Sequence, residues 1–259
     1  MSYESVNSHA SITFQREANA FFAALERTSP DAVTACSGWT AHEIVAHLAA
    51  AGLEVALNLE AYGEGRPVPL TRSFEEREAP FRQMNDHLLL VELPKSIARM
   101  SSALDAVLAN EPDAIVPWAG RQMVVKTFLT HLRSEFAIHR FDLIGDDDIS
   151  KELLAQSELT NHAVTVLGKA LLLRGSTNPE SLGFRATIAS PGASDVTVLV
   201  DTEGPRLIHT EDLLEASVIG DSAARLLFLW GRKPGDPSRL KAQGGADMLR
   251  HLQTLLAGY

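Results

Sequence analysis

From Arg121 to Ile144 the chain contains neither glycine nor proline, and Phe128, Leu132, Glu135, His139 and Leu143 recur at spacings of three and four. That period predicts one helix with these five residues on its inward face. The face is mostly apolar, yet it carries a carboxylate and an imidazole one turn apart. A carboxylate is rarely buried unless it is paired or coordinates a metal. Residues at i and i+4 hold their Cβ atoms roughly 5–6 Å apart, so Glu135 and His139 can converge on one ion. The spacing is half of a metal site, and the fold has to bring in the other half.

His47 is the candidate for that half. The segment Trp39-Thr40-Ala41-His42-Glu43-Ile44 reads as a helix start: Thr40 and Glu43 form a capping box, and Trp39 and Ile44 a hydrophobic staple. The helix is expected to run from Thr40 to about Ala61, with Ile44, His47, Leu48, Ala51 and Val55 inward. A further amphipathic helix is expected over residues 8–28, with Phe14, Ala18, Phe21, Phe22 and Leu25 on one side. Ser73 and Glu76 form a second capping box, and helix is expected from there to about Val91, interrupted at Pro94 and resumed to Ala109. Four long helices joined by loops predict an antiparallel four-helix bundle.

The pattern changes after the acidic run Asp146-Asp147-Asp148, which lacks calcium-loop spacing and reads as a solvated linker. A linking helix is expected from Lys151 to Arg174. Val196–Val200 and Arg206–His209 read as a hairpin across Thr202-Glu203-Gly204-Pro205, and 216–219 and 240–242 as further strands. Asp221 caps a short helix, and a last helix spans Ala246 to Leu256. The expected class is therefore α+β in two domains: residues 1–148 a helical bundle, and 149–259 a linking helix with a small module whose antiparallel sheet is covered on one face.

Composition narrows the function. The formal net charge is -10, and acidic residues exceed basic ones in both halves, which argues against a nucleic-acid partner. Cys36 is the only cysteine, so neither an intramolecular disulfide nor a thiolate zinc cluster is open to the chain. No signal peptide and no long uncharged apolar run are visible, and the reading is a cytoplasmic protein with no membrane role.

Two histidines and one glutamate, with a fourth position open, form the ligand set of a catalytic rather than a structural zinc. His131 lies roughly 12 Å along the helix from His139, too far to share one mononuclear ion with it. The bland alternative is a core histidine at His47 and an ion pair at Glu135. Asp142, one turn after His139, either orients that imidazole or pairs on the surface. Arg232, following Trp230-Gly231 at a helix end, either caps carbonyls or clamps a substrate carboxylate. His209 and His251 have no partner at ligand spacing, and Cys36 reads as a small buried residue.

Cys36-Ser37-Gly38-Trp39-Thr40, Ala46-His47-Leu48 and Glu135-Phe136-Ala137-Ile138-His139-Arg140-Phe141-Asp142 together resemble the mycothiol-dependent maleylpyruvate isomerase family. That family is part of the DinB-like group of metal-binding four-helix bundles. Ser37 stands where the family has proline. The resemblance implies His47, Glu135 and His139 as ligands of zinc or another divalent metal, and a sterol-carrier-like α+β second domain containing Trp230-Gly231-Arg232. It implies an isomerase or S-transferase that uses a low-molecular-weight thiol, mycothiol in the family, on a small electrophilic and acidic substrate, which Arg232 would orient. The alternative is a non-catalytic protein that binds a metal and a small ligand.

Overall fold

The computed structural model describes residues 15–172, 182–210, 215–243 and 245–256. The expected beginning of the first helix, with Phe14, and the end of the linking helix at Arg174 lie outside these residues. The chain divides into two compact units. One comprises residues up to Thr34 with Gly38–His139, and the other Ala35–Ser37 with Arg140 onward. The first is helical and the second contains the main sheet, so the class is α+β.

The helices of the first unit are α1 (Gln15–Leu25), α2 (Ala41–Gly63), α3 (Phe74–Arg82), α4 (Asp86–Asn110) and α5 (Thr127–Ile144), the last of which continues from Arg140 into the second. Helix α2 starts where the capping box requires: the Thr40 hydroxyl accepts from the Glu43 amide, and the Glu43 carboxylate accepts from the Thr40 amide. The Ser73 and Glu76 box starts α3 in the same way. Among the described residues, α2 alone could cross a membrane by length and composition, with a mean hydropathy of 1.4 over its most apolar window, but 78% of that window is buried within the fold. It is a core helix.

The helix directions differ from the expected alternation. His42 meets Asp86 at one end, Gly52 lies against Ile97, and Glu60 meets Arg99 towards the other, so α2 and α4 run parallel. A Cβ on Gly52 would stand 3.0 Å from the Ile97 side chain, and its absence is what lets these two helices approach. Helix α3 makes the parallel pairing possible by returning antiparallel to α2: Arg72 contacts Glu54, Glu78 contacts His47, and Arg82 contacts Glu43. Helices α1 and α5 share a direction, with Glu17 against Arg133 and Phe21 against Phe136.

Two boundaries also differ. The break between α3 and α4 falls at 83–85, where the Asn85 side chain accepts from the Leu88 amide and caps α4. Pro94 sits inside the continuous α4; it removes one helical hydrogen bond at a place where Leu90 and Val91 are exposed to solvent. The expected start of α5 at Arg121 is instead a hairpin, β1 (Ile115–Trp118) and β2 (Arg121–Val124). Its two-residue turn needs positive φ at both positions, and Ala119 and Gly120 adopt φ 48° and 75°.

The second unit opens with the short helices α6 (Asp148–Leu154) and α7 (Ser157–His162), a π turn at Ala163–Leu167, and α8 (Gly168–Leu172), in place of one uninterrupted linking helix. The acidic run before them is not a solvated linker. Asp147 caps α6 and forms a two-point pair with the buried Arg140, and Asp146 pairs with Arg239. Strands β3 (Phe184–Ser190), β4 (Ala193–Asp201), β5 (Gly204–Thr210), β6 (Val218–Gly220) and β7 (Leu240–Ala242) form a sheet in the order β5-β4-β3-β6-β7. Strand β3 was not anticipated from the sequence, and it pairs parallel with β6, so the sheet is mixed. Helix α9 (Ser222–Leu229), capped by Asp221, is buried from Ala223 to Leu229 and packs against α6 and the sheet; α10 (Gly245–Leu256) closes the unit.

Thr40→Ala removes the acceptor at the start of α2 and frees Glu43 from the box. It is expected to lower the unfolding free energy by about 1 kcal/mol, read as a lower midpoint in urea. An unchanged midpoint would show that α2 is specified by its packing alone.

Candidate metal centre

Glu135 and His139 project from the same face of α5, and His47 from α2; all three are buried. Their ligand atoms lie within 4.8 Å of one another. Glu135 Oε2 is 3.4 Å from His47 Nε2 and 3.3 Å from His139 Nε2. Ligand bonds of about 2.0–2.2 Å at tetrahedral angles set donor atoms about 3.3 Å apart, so both separations equal the edge of such a polyhedron. Two imidazoles and a carboxylate are also the donor types of a hydrolytic or Lewis-acid zinc, and the residues fit a divalent ion.

The imidazole of His47 is held from behind. Its Nδ1 is 2.7 Å from Glu78 Oε1, which orients Nε2 towards Glu135. Glu78 is itself gripped by Arg82, whose Nη2 donates to Oε2 at 2.8 Å, and Arg82 also pairs with Glu43. Burial opposes ionisation of Glu78, but the hydrogen bonds and charges of His47 and Arg82 outweigh it and hold the carboxyl below the usual range. The guanidinium of Arg82 lies over the Trp39 ring, 5.1 Å from its centroid. The Trp39 indole in turn stacks against His139 at 6.2 Å with an interplanar angle of 12°, and contacts His47 at 5.1 Å. Thr34 fixes that indole by donating its amide and its hydroxyl to the Trp39 carbonyl.

Glu135 is the electrostatic hub. Burial alone would raise its pKa, yet contacts with His139 and His47 and the neighbouring His131 hold it well below the ordinary value. Its Oε1 faces His131 Nε2 at 3.5 Å, while Oε2 serves the other two rings. His131 is therefore beside the ligand group but on the other oxygen, edge-on to Trp118. Burial, outweighing the attraction of Glu135, pushes His131 down to about 4, so its ring is neutral.

Glu78 has a sequence signal of its own. Phe74, Glu78 and Phe81 recur at i, i+4 and i+7, the same apolar face interrupted by a carboxylate that marked Glu135. The helix is short and otherwise polar, which hid the period.

Arg232 and Asp142 hold each other. Arg232 was expected to present its fork to a substrate carboxylate. It is buried, and the fork is filled by Asp142, with Nη2 to Oδ2 at 2.9 Å and Nε to Oδ1 at 3.2 Å. Arg232 also donates to the Trp230 carbonyl and to Cys36 Sγ, so three segments of the second unit are joined by one guanidinium. Both oxygens of Asp142 accept from Arg232. Cys36 is buried, as expected of a small core residue.

The family model of the mycothiol maleylpyruvate isomerase N-terminal domain matches residues 13–144, more than half of the chain. Among solved structures, that of the mycothiol-dependent maleylpyruvate isomerase superposes with a TM-score of 0.63 at 16% identity, over 90% of this chain and 91% of that chain. A histidine-to-alanine mutant of the same enzyme gives the same values. At this identity the likeness shows a common fold across nearly the whole chain. No curated protein matches the sequence.

Asp142→Ala would strand the buried Arg232 charge and is expected to cost about 3–5 kcal/mol. The double variant Asp142→Leu, Arg232→Met is expected to recover much of that loss, because two apolar side chains replace the pair. Thermal unfolding of the three proteins is the check; equal midpoints for wild type and Asp142→Ala would rule out a structural role for the pair.

Proposed function

The chain belongs to the family of the mycothiol maleylpyruvate isomerase N-terminal domain, and on that premise we propose that it is a metal-dependent isomerase using a low-molecular-weight thiol, mycothiol by family. Its substrate in this reading is a small, electrophilic and acidic alkene. The observation that carries the reading is the ligand group of His47, Glu135 and His139, with donor separations that suit a tetrahedral ion. A divalent metal there, zinc by its donor set, would hold the thiol as a thiolate at the position that three protein ligands leave over.

The protein's own part follows from the site's geometry. Glu78 accepts from His47 Nδ1, which selects the tautomer whose Nε2 lone pair points at the centre. Glu135 presents Oε2 between the two rings and stays ionised. Trp39 stacks on His139 and contacts His47. In the proposed reaction the thiol sulfur adds to one alkene carbon, and the π pair moves towards the activating carbonyl. The former double bond rotates as a single bond; loss of the same thiol then restores it in the other geometry. No net oxidation occurs and the thiol is regenerated. Release of the adduct before elimination would make the same centre a thiol transferase. A reduced thiol pool is needed in either case, which supports a cytoplasmic setting.

Purified protein is expected to contain one divalent metal per chain, and His47→Ala to lose it; stoichiometric metal in that variant would remove His47 from the group. Glu78→Gln keeps an acceptor for His47 but not the charge, and chelator competition is expected to find metal affinity roughly 10- to 100-fold weaker. Cobalt-substituted protein should develop a sulfur-to-metal charge-transfer band with a biological thiol. A spectrum indifferent to thiols would leave a metal- and small-ligand-binding protein in place of an enzyme.

A further inference from the structure

Helix α3 carries a charge that the ligand group and its supports do not use. Arg77 precedes Glu78 and is only 6% exposed. No hydrogen bond or ion pair reaches its guanidinium among the described residues, and its Nε is sealed from solvent. The other charges on and beside this helix are arranged differently. Glu78 and Arg82 hold each other, Arg72 holds Glu54, and Glu76 caps the helix. Arg77 lies instead over the Phe74 ring, 4.4 Å from its centroid. A cation over an aromatic face is partly compensated, but Nε has no acceptor among the described residues. A buried cation without a counter-charge is among the costliest features a fold can keep.

The position of that cation gives it a use. The Phe74 ring that Arg77 covers is 5.8 Å from the His47 ring on its other contact. Arg77 is thus in the same buried neighbourhood as the ligand group, with donors to spare.

We propose that Arg77 is the anion receptor of this centre and binds a carboxylate of the substrate. This rests on the reading of the site given above and deepens it by assigning carboxylate recognition to Arg77, whose guanidinium has no partner among the described residues. A planar guanidinium takes a carboxylate through two parallel hydrogen bonds and stays charged at any working pH, which suits a receptor that has to orient an acidic alkene beside a nucleophile. The bound carboxylate supplies the counter-charge that no described residue brings to Arg77.

Succinate, an unreactive dicarboxylate, is the probe, titrated into the full-length cobalt-loaded protein by calorimetry at fixed ionic strength. Wild type is expected to bind it, and Arg77→Met to bind it roughly 10- to 100-fold more weakly, with the cobalt spectrum before titration unchanged. Arg77→Met should also raise Tm in the absence of ligand, since it deletes an uncompensated buried charge; a structural arginine would lower it. Arg77→Gln is the second variant, in case methionine disturbs the packing. Wild-type succinate affinity in either folded variant, or no succinate binding by wild type, overturns the proposal. The thiol titration separates the two readings. A charge-transfer band with succinate binding indifferent to Arg77 sinks the receptor alone. Arg77-dependent succinate binding without a band sinks the thiol chemistry and leaves the receptor.

Discussion

A buried carboxylate surrounded by imidazoles is the constraint that organises the first unit. Glu135 cannot stay ionised in an apolar core without compensation, and three histidine rings from two helices supply it. That requirement fixes the rotation of α5 about its axis, because Glu135 and His139 must face α2 at the height of His47. It also explains why the inward face of α5 departs from an apolar stripe at these positions while Phe128 and Leu132 preserve it elsewhere. The residues best suited to hold a metal are thus also the residues on which the packing of two long helices depends.

The nine-residue α3 is the second organising element. It is too short and too polar to be stable alone, and its stability comes from what it is bonded to. Through Glu78 and Arg82 it links the back of His47 to Glu43, the residue that also closes the cap of α2. Helix initiation and imidazole orientation therefore share one chain of charge-assisted bonds. The same short element turns the chain round so that α2 and α4 lie parallel, which short loops alone would not allow.

Much of this was legible in the sequence, for identifiable reasons. The cap of α2 and the face of α5 follow from local chemistry and the helical period, which are written into consecutive residues, whereas the meeting of His47 with Glu135 and His139 was implied by the family resemblance. Helix direction was not legible, because an amphipathic pattern has no sign and an antiparallel order is only the commoner solution. The hairpin at 115–124 was hidden by strands of four residues, one containing Pro117, and its two-residue turn was the sole clue. Strand β3 was hidden by Arg185 and Thr187 in a run that reads as mixed. The pairing of Arg232 with Asp142 was not legible either: the two are 90 residues apart, and no spacing rule connects them. Arg77 escaped notice because an arginine in a polar helix looks solvated until its burial is known.

The membrane-like composition of α2 has a consequence during synthesis. The chain is made from its amino end, and α2 emerges well before α4 and α5, the helices that will cover it. For that interval an apolar helix is without its main partners, the circumstance in which nascent chains aggregate or are misdirected to a bilayer. Glu43, Glu54 and Glu60 interrupt the apolar run. Glu54 and Glu60 later pair with Arg72 and Arg99, and Glu43 with Arg82. Before those arginines have left the ribosome, the three carboxylates act as gatekeepers that keep the waiting helix in water.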